Sequence, residues 1–373
     1  MSSLMEEMNE RALKAGVPLS VQFDLTYRCN ERCVHCYLDH NDYGELTAPE
    51  IMGVLDQLAE AGVFFLCFSG GEVLMRRDFF RILEYARSLL FGVKVKTNAF
   101  MIGKNEADRL CELSVQSVQV SVYSHRPEVH DAITKLPGSL KRSLAGIALL
   151  RERGMKVVIA NVLMRQNLDD YFGVVALAKE LGADYTFDPT ITPRMDHDRS
   201  ILGLGIRPSD LERVFRTREL VGNVEQFCAP PPAVDDDTLE GLPCSASHTF
   251  CYISPYGDVY PCVQFPLPTG NVRQQKFLEI WNDSPQMNEI RSIRGRDLPT
   301  CKSCSHLGTC SRCPGLAYME GNMRGPSSQD CEKSFARTGI PSAHMLAKAR
   351  ATQAGSAGSR LVQITGFELA RAT

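Results

Sequence analysis

The chain has 373 residues, 44% of them hydrophobic and 23% charged, an ordinary globular composition that excludes disorder over most of its length. With 41 basic against 44 acidic side chains the formal net charge is -3, so nothing in it marks a nucleic-acid or membrane-surface binder. The start, MSSLMEEMNERALKAG, lacks the apolar core of a signal peptide, and apolar stretches such as Gly62–Phe68 fall far short of the ~20 residues of a spanning helix; a cytoplasmic protein is expected.

Residues 1–18 read as an N-terminal helix. From about Leu19 to Pro189, short apolar runs alternate with longer amphipathic ones. Val21–Leu25 alternates apolar and polar residues, which is the period of a strand. Thr47–Gly62 sets Ile51, Leu55, Leu58 and Ala61 at helical spacing behind a Thr-Ala-Pro-Glu start. Further strands are expected at 63–68, 93–97, 117–122, 157–163 and 185–188, with helices at 78–90, 105–113, 139–153 and 167–181. Six βα repeats of roughly 25–35 residues suit right-handed crossovers onto a parallel sheet. They predict an α/β fold over 19–220, a partial (β/α)6 version of the eight-unit TIM barrel. A helix at 208–220 leads into a Pro- and Asp-rich connector over 221–243. From 244 to 335 apolar periodicity is poor and turn residues are frequent, so metal must supply the stabilisation that a core cannot. Residues 336–373 are read as a C-terminal helix and a tail that frays from about Ala351.

Cysteine is the outlier, with fourteen residues. In a reducing compartment that number points to metal or thiol chemistry. Cys29, Cys33 and Cys36 follow the first strand, at the end where parallel-sheet enzymes build their sites. The x3–x2 spacing lets one loop aim three thiolates at a common cluster, and three ligands on a four-iron cluster leave one iron open. Cys67 and Cys111, in an apolar strand and on the apolar side of a helix, read as small core hydrophobes.

The Cys-x3-Cys-x2-Cys loop resembles that of the radical S-adenosylmethionine (SAM) superfamily. The resemblance implies that SAM chelates the open iron of a 4Fe-4S cluster held by Cys29, Cys33 and Cys36, and is reductively split to a 5'-deoxyadenosyl radical. Gly70-Gly71-Glu72, after the second strand, is similar to the family's Gly-Gly-Glu motif, which implies a place at the SAM amino group. Asn98, Ser121 and Asn161, polar residues at apolar strands, fit the family's contacts to SAM and fit satisfied core groups equally well. His130-Asp131 and Gly138-Ser139 also match family usage, and a helix cap explains them. Val73 stands where proline is usual and Ala99 where glycine is usual; neither change removes a ligand.

The later cysteines resemble the SPASM extension of such enzymes: Cys244, Gly257-x4-Cys262, Cys301-x2-Cys304-x5-Cys310-x2-Cys313 and Cys331, with x2 in place of x3 before Cys313. The resemblance implies two auxiliary iron–sulfur clusters. Cys301, Cys304, Cys310 and Cys331 would hold the outer one, and Cys244, Cys262 and Cys313 the inner one. Cys251, Cys228 or an open site would complete the inner set, with Cys251 preferred because it shares the hairpin turned by Gly257. Read alone, the Cys-x2-Cys pairs also suit zinc. Trp281 and its helix are expected to pack this module onto the barrel.

The resemblance implies oxidative modification of a peptide or protein, by cross-linking or dehydrogenation, with a tetrapyrrole or another small molecule as the alternative. A non-catalytic electron carrier is disfavoured, because a carrier has no use for an open iron. Relatives often carry an N-terminal leader-binding domain, and only 1–18 precedes the first strand, so a separate leader-binding protein is an expected partner. An electron donor such as flavodoxin or ferredoxin is the other. Asp188, Arg194 and Asp196 lie where a substrate-facing loop would be, though each reads more readily as a solvated loop charge.

Overall fold

The computed structural model describes residues 2–352. All six expected strands form: β1 (Ser20–Thr26), β2 (Phe65–Gly70), β3 (Gly92–Thr97), β4 (Ser117–Ser121), β5 (Val157–Val162) and β6 (Asp184–Asp188). They pair in the order β6-β5-β4-β3-β2-β1, every neighbour parallel. Between them run α1 (Ser2–Ala15, before β1), α2 (Ala48–Glu60), α3 (Phe79–Ser88), α4 (Lys104–Glu112), α5 (Pro127–Thr134), α6 (Ser139–Glu152) and α7 (Tyr171–Glu180). The partial barrel is therefore the observed fold.

Strand alternation decides what each face carries. In β1, Val21, Phe23 and Leu25 enter the main apolar core, whereas Gln22, Asp24 and Thr26 face the other way. The core continues through Leu66, Phe68, Val93, Val95, Val118, Val120 and Ile159, and is covered by Ile51, Val54, Leu55 and Leu58 of α2 and by Ile82 and Leu83 of α3. Each such fully buried side chain contributes about 1.5–3 kcal/mol. Thr47 caps α2 through a reciprocal box with Glu50, as the start signal requires.

Three features depart from the sequence reading. First, α5 forms a separate helix where only a cap was expected. Second, the segment after Cys244 does not begin a separate body. β7 (Phe250–Ile253) pairs in parallel with β1, and β8 (Asp258–Tyr260) and β9 (Gly270–Asn271) add antiparallel strands, extending the barrel sheet to nine. The helix at Phe277–Asp283 then buries Trp281 in the same core, its indole N–H donating to Gly16 O at 2.7 Å. Among the described residues, one compact unit accordingly comprises 2–210 and 244–292, and the second 211–243 and 293–352. Third, the expected connector belongs to that second unit. Asp235 caps a short helix at Asp236–Glu240, and Gly295 N–H donates to Gly241 O at 3.1 Å.

In the second unit, helices at Pro314–Met319 and Ser328–Thr338 and a further helix over 343–352 surround a cysteine-rich interior. The fraying expected of the tail falls, beyond residue 352, outside the described residues. Among the described residues, no helix is long and apolar enough to cross a membrane.

Candidate active site

A cavity of about 420 Å3 opens inside the first unit. Its floor is the inward face of the strands: Gln22, Ser69, Lys96, Gln119, Ser121 and Ala160. Its wall is the loop after β1, with Cys29, Cys33 and Cys36 all exposed to the space. That loop is held by α5, because the N–H groups of Arg32 and Val34 donate to Thr134 O and Ile133 O at 2.9 and 3.0 Å. The 130–139 run thus has a role that the sequence reading left open. Asp131 caps α6 by accepting from Leu140 N and Ser139 Oγ at 3.0 and 2.9 Å. His130 Nδ1 accepts from Tyr123 N at 3.2 Å.

Burial sets the chemistry of the loop. It pushes the Cys29 thiol up to about 12 and Cys33 well above its ordinary range, so the metal-free thiols are protonated and metal binding must release protons. Glu31 is raised to about 7 and His35 lowered to about 4, both by burial. Asn30 Nδ2, Glu31 Oε1 and His35 Nδ1 are buried with no protein partner. Three converging thiols beside orphaned polar atoms fit a bound ionic cluster.

The two glycines are required by close backbone contact. A Cβ on Gly70 would lie 2.1 Å from Thr26 O, and one on Gly71 2.4 Å from Arg28 O. The chain after β2 must therefore lie flat against the cysteine loop, where Gly71 N and Glu72 N donate to Thr26 O and Arg28 O at 2.8 and 2.9 Å. Both glycines still line the cavity. Glu72 does not. Its fully buried carboxylate accepts from Thr97 Oγ1 and Asn98 N at 2.8 Å and from Leu74 N at 3.1 Å, and burial raises its pKa. In this structure it ties three loop ends together. Asn98 and Ser121 line the cavity as expected, with Asn98 Nδ2 donating to Asn30 Oδ1 at 2.9 Å. Asn161 is turned away. Its neighbours Ala160 and Val162 face the cavity, while Asn161 pairs in register with Phe187 and accepts from Asn167 Nδ2 at 3.4 Å.

Asp188 lines the cavity at the end of β6, and Arg194 and Asp196 line a smaller neighbouring one of about 230 Å3 with Tyr27, Tyr37, Tyr43 and Tyr256. Lys96 and Gln119 were not anticipated. Their signal was polar residues at alternate positions of strands otherwise apolar. Beneath the floor, Asp24 accepts from Gln22 Nε2 and Tyr252 OH, each at 3.0 Å, and burial raises it to about 6.

The remaining cysteines divide. Cys301, Cys304, Cys310 and Cys331 line one cavity of about 410 Å3 in the second unit. Two of the sulfurs accept hydrogen bonds, Cys304 from Ala343 N–H at 3.5 Å and Cys310 from Ser334 Oγ at 3.4 Å, and Arg312 lies near Cys301. Such donors are what a thiolate-ligated cluster uses to stabilise charge. Cys313 stands outside this cavity, capping the helix at Pro314–Met319, and Cys244 and Cys262 lie in the first unit. Cys251 is fully buried, paired in register with Val21, and lies within electrostatic reach of Cys262. Cys228 reaches Phe215 O at 3.5 Å. Of the two presumed core cysteines, Cys111 is exposed and Cys67 is half-buried on the inward face, paired with Gln22; helix and strand phase were each read one face wrong. Among the described residues, no three His, Cys, Asp or Glu side chains stand at single-ion distances.

Comparison with known proteins agrees with this geometry. A model of the radical SAM superfamily matches residues 23–178, and a model of an iron–sulfur cluster-binding domain, SPASM, matches 244–305; together they take in more than half of the chain. The chain is 29% identical to an AdoMet-dependent heme synthase of Methanosarcina barkeri, over 81% of this chain and 93% of the relative. It is also 29% identical to the mycofactocin maturase MftC of Mycobacterium tuberculosis, over 92% of this chain and 90% of the relative. The fold is similar to that of Streptococcus suis SuiB bound to SAM, with a TM-score of 0.67, 20% identity, and coverage of 87% of this chain and 80% of that one.

Proposed function

The chain belongs to the radical SAM superfamily and carries a C-terminal SPASM domain, and from that premise we propose that it oxidatively modifies a peptide or protein. A 4Fe-4S cluster on Cys29, Cys33 and Cys36 supplies, when bound, the electron that splits SAM and yields a 5'-deoxyadenosyl radical. The rest is the work of this chain's residues. The α5 carbonyls hold the cysteine loop, and Asn98 and Ser121 offer polar contacts to SAM. The inward strand faces keep the reacting C–H bond in a small space that excludes water.

In the proposed oxidation the substrate loses two hydrogens. One leaves as an atom to the 5'-deoxyadenosyl group. The other would leave as a proton, and an auxiliary cluster, held by this chain's later cysteines, would be the acceptor for its electron. Cys301, Cys304, Cys310 and Cys331 would hold the outer auxiliary cluster; Cys244, Cys262 and Cys313 would hold the inner one, whose fourth position would be taken by Cys251, which lies within electrostatic reach of Cys262, or by Cys228, or left open. Flavodoxin or ferredoxin would supply the first electron, and a separate protein would bind any leader.

The observation that carries the peptide reading is the size of the cavity. About 420 Å3 is near the lower end of the ~300–1,000 Å3 that a single drug-sized ligand occupies. With SAM in place, the remaining room suits a chain end or a side chain and not a broad macrocycle. The likeness to MftC, and SuiB's having been solved with its precursor peptide SuiA, support the same reading. The tetrapyrrole alternative draws on the equal identity to the heme synthase.

The deciding experiment is mass spectrometry of a short peptide encoded beside this chain, after anaerobic incubation with reconstituted protein, SAM and reductant. Loss of two hydrogens that disappears in Cys29→Ala is expected. An unchanged peptide while 5'-deoxyadenosine accumulates, together with oxidation of a tetrapyrrole, would overturn the peptide reading.

A further inference from the structure

We propose that Lys96 anchors the free C-terminal carboxylate of the peptide at the floor of the three-cysteine cavity. The inference rests on the peptide reading above. Lys96 and Asn98 share one face of the chain through and just past β3, so Lys96 stands about 7 Å deeper along the strand than the row presented to SAM. Its ammonium donates to Gln22 Oε1 at 3.0 Å, and two of its three N–H donors are left over.

Lys96 forms no ion pair among the described residues. The nearby buried carboxylate, Asp24, is engaged by Gln22 Nε2 and Tyr252 OH. The other charged or titratable groups around the cavity are the three cysteines, Glu31, His35, Tyr37 and His40 on the cysteine-loop side, Tyr123 after β4 and Asp188 at the end of β6. Lys96 is therefore the one permanent cation facing this space among the described residues. Asp24 lies within electrostatic reach of this half-buried ammonium but directs its hydrogen bonds to Gln22 and Tyr252, so the two N–H donors left on Lys96 are what a ligand carboxylate would complete. Gln119, opposite Lys96 in register, and Ser69 on β2 face the same floor and can meet the second carboxylate oxygen.

Depth selects the chain end. A carboxylate at the tip of an extended chain reaches the floor with a single strand of peptide. An internal acidic side chain would bring backbone in and out of a space that already holds SAM. The C-terminal residue would then sit with its own C–H bonds between Lys96 and the cysteine loop, where the radical is generated.

The test offers anaerobically reconstituted holoenzyme, with SAM, a library of N-acetylated hexapeptides in matched free-acid and C-terminal amide forms. Retained peptides are quantified by mass spectrometry after gel filtration. Wild type should retain acids over amides by about 10- to 100-fold, the usual worth of a hydrogen bond to a charged group. Lys96→Gln should bring that ratio to near one, and Lys96→Arg, which keeps the charge, should restore most of it. An acid-to-amide ratio near one in wild type overturns the inference, and so does a preference that survives Lys96→Gln. Amides retained only when they contain Asp or Glu would assign the lysine to a side-chain carboxylate. A tenfold loss of SAM in equilibrium dialysis of Lys96→Gln, with the acid preference unchanged, would assign it to the carboxylate of SAM. If no peptide is retained in either form, the peptide reading falls together with the inference. Peptides retained without regard to their termini leave that reading standing and remove only the anchor.

Discussion

The two cysteine-lined cavities have nearly equal volumes, about 420 and 410 Å3, and differ in what surrounds the sulfurs. In the first unit three thiols share the space with polar strand residues, and Asn30, Glu31 and His35 each keep a buried atom without a partner. In the second unit four thiols line one space, with Ala343 N–H donating to Cys304 and Ser334 Oγ to Cys310. A set of three thiols with orphaned polar groups beside it is built to take a further ligand. A set of four thiols is already complete, and is built to hold charge and pass it on. Counting thiols and their partners therefore separates the reacting centre from the electron-handling one.

The largest expected effect lies in the first cavity. Cys33→Ala should lower 5'-deoxyadenosine formation by at least about a thousandfold, because chemistry through a lost cofactor has no substitute residue. Cys304→Ala should instead lower bound iron from about twelve to about eight per chain on reconstitution, four irons being one cluster. Iron that stays near four in wild type would erase the comparison, since the second cavity would then hold no cluster.

Gly71→Ala tests whether the first cavity depends on close backbone contact. Its Cβ would meet both Arg28 O and Tyr27 O, at 2.4 and 2.7 Å, so the cysteine loop must shift. A loss of about 3 kcal/mol in urea unfolding, with reduced iron, is expected. Unchanged stability would show that the loop is free to move.

Asp24 sharpens the contrast in polarity. Burial raises its pKa from 3.8 to about 6, so the neutral form is favoured by folding. Its contribution is full below pH 4 and is lost as pH rises through 6. Asp24→Asn should flatten that part of the stability profile by about 2–3 kcal/mol, followed by thermal melts between pH 4 and 7. A parallel decline in the variant would place the titration elsewhere. The smallest effect is at Ala99, held at φ +59° and fully buried after β3. Ala99→Gly should raise stability by up to about 1 kcal/mol through relief of left-handed strain, read from the unfolding midpoint.

The sequence by itself determined the barrel, because six strands and their covering helices each carry their own period and caps. It also determined the loop triplet, because ligands within a span of eight residues need no tertiary partner to converge. Tertiary structure alone decided the rest. Pairing of β7 with β1 moved 244–292 into the first unit and buried Cys251, although the cysteine density of that segment resembled its neighbours downstream. Strand phase turned Asn161 away from the cavity while bringing in Lys96 and Gln119, which no motif marks. Glu72 lies in a motif legible at once, yet its direction depended on Thr97 and the Asn98 amide, residues of another strand end. Local signals fix which residues form an element. Which face an element turns inward depends on partners distant in the chain, and that is where the linear order stops carrying information.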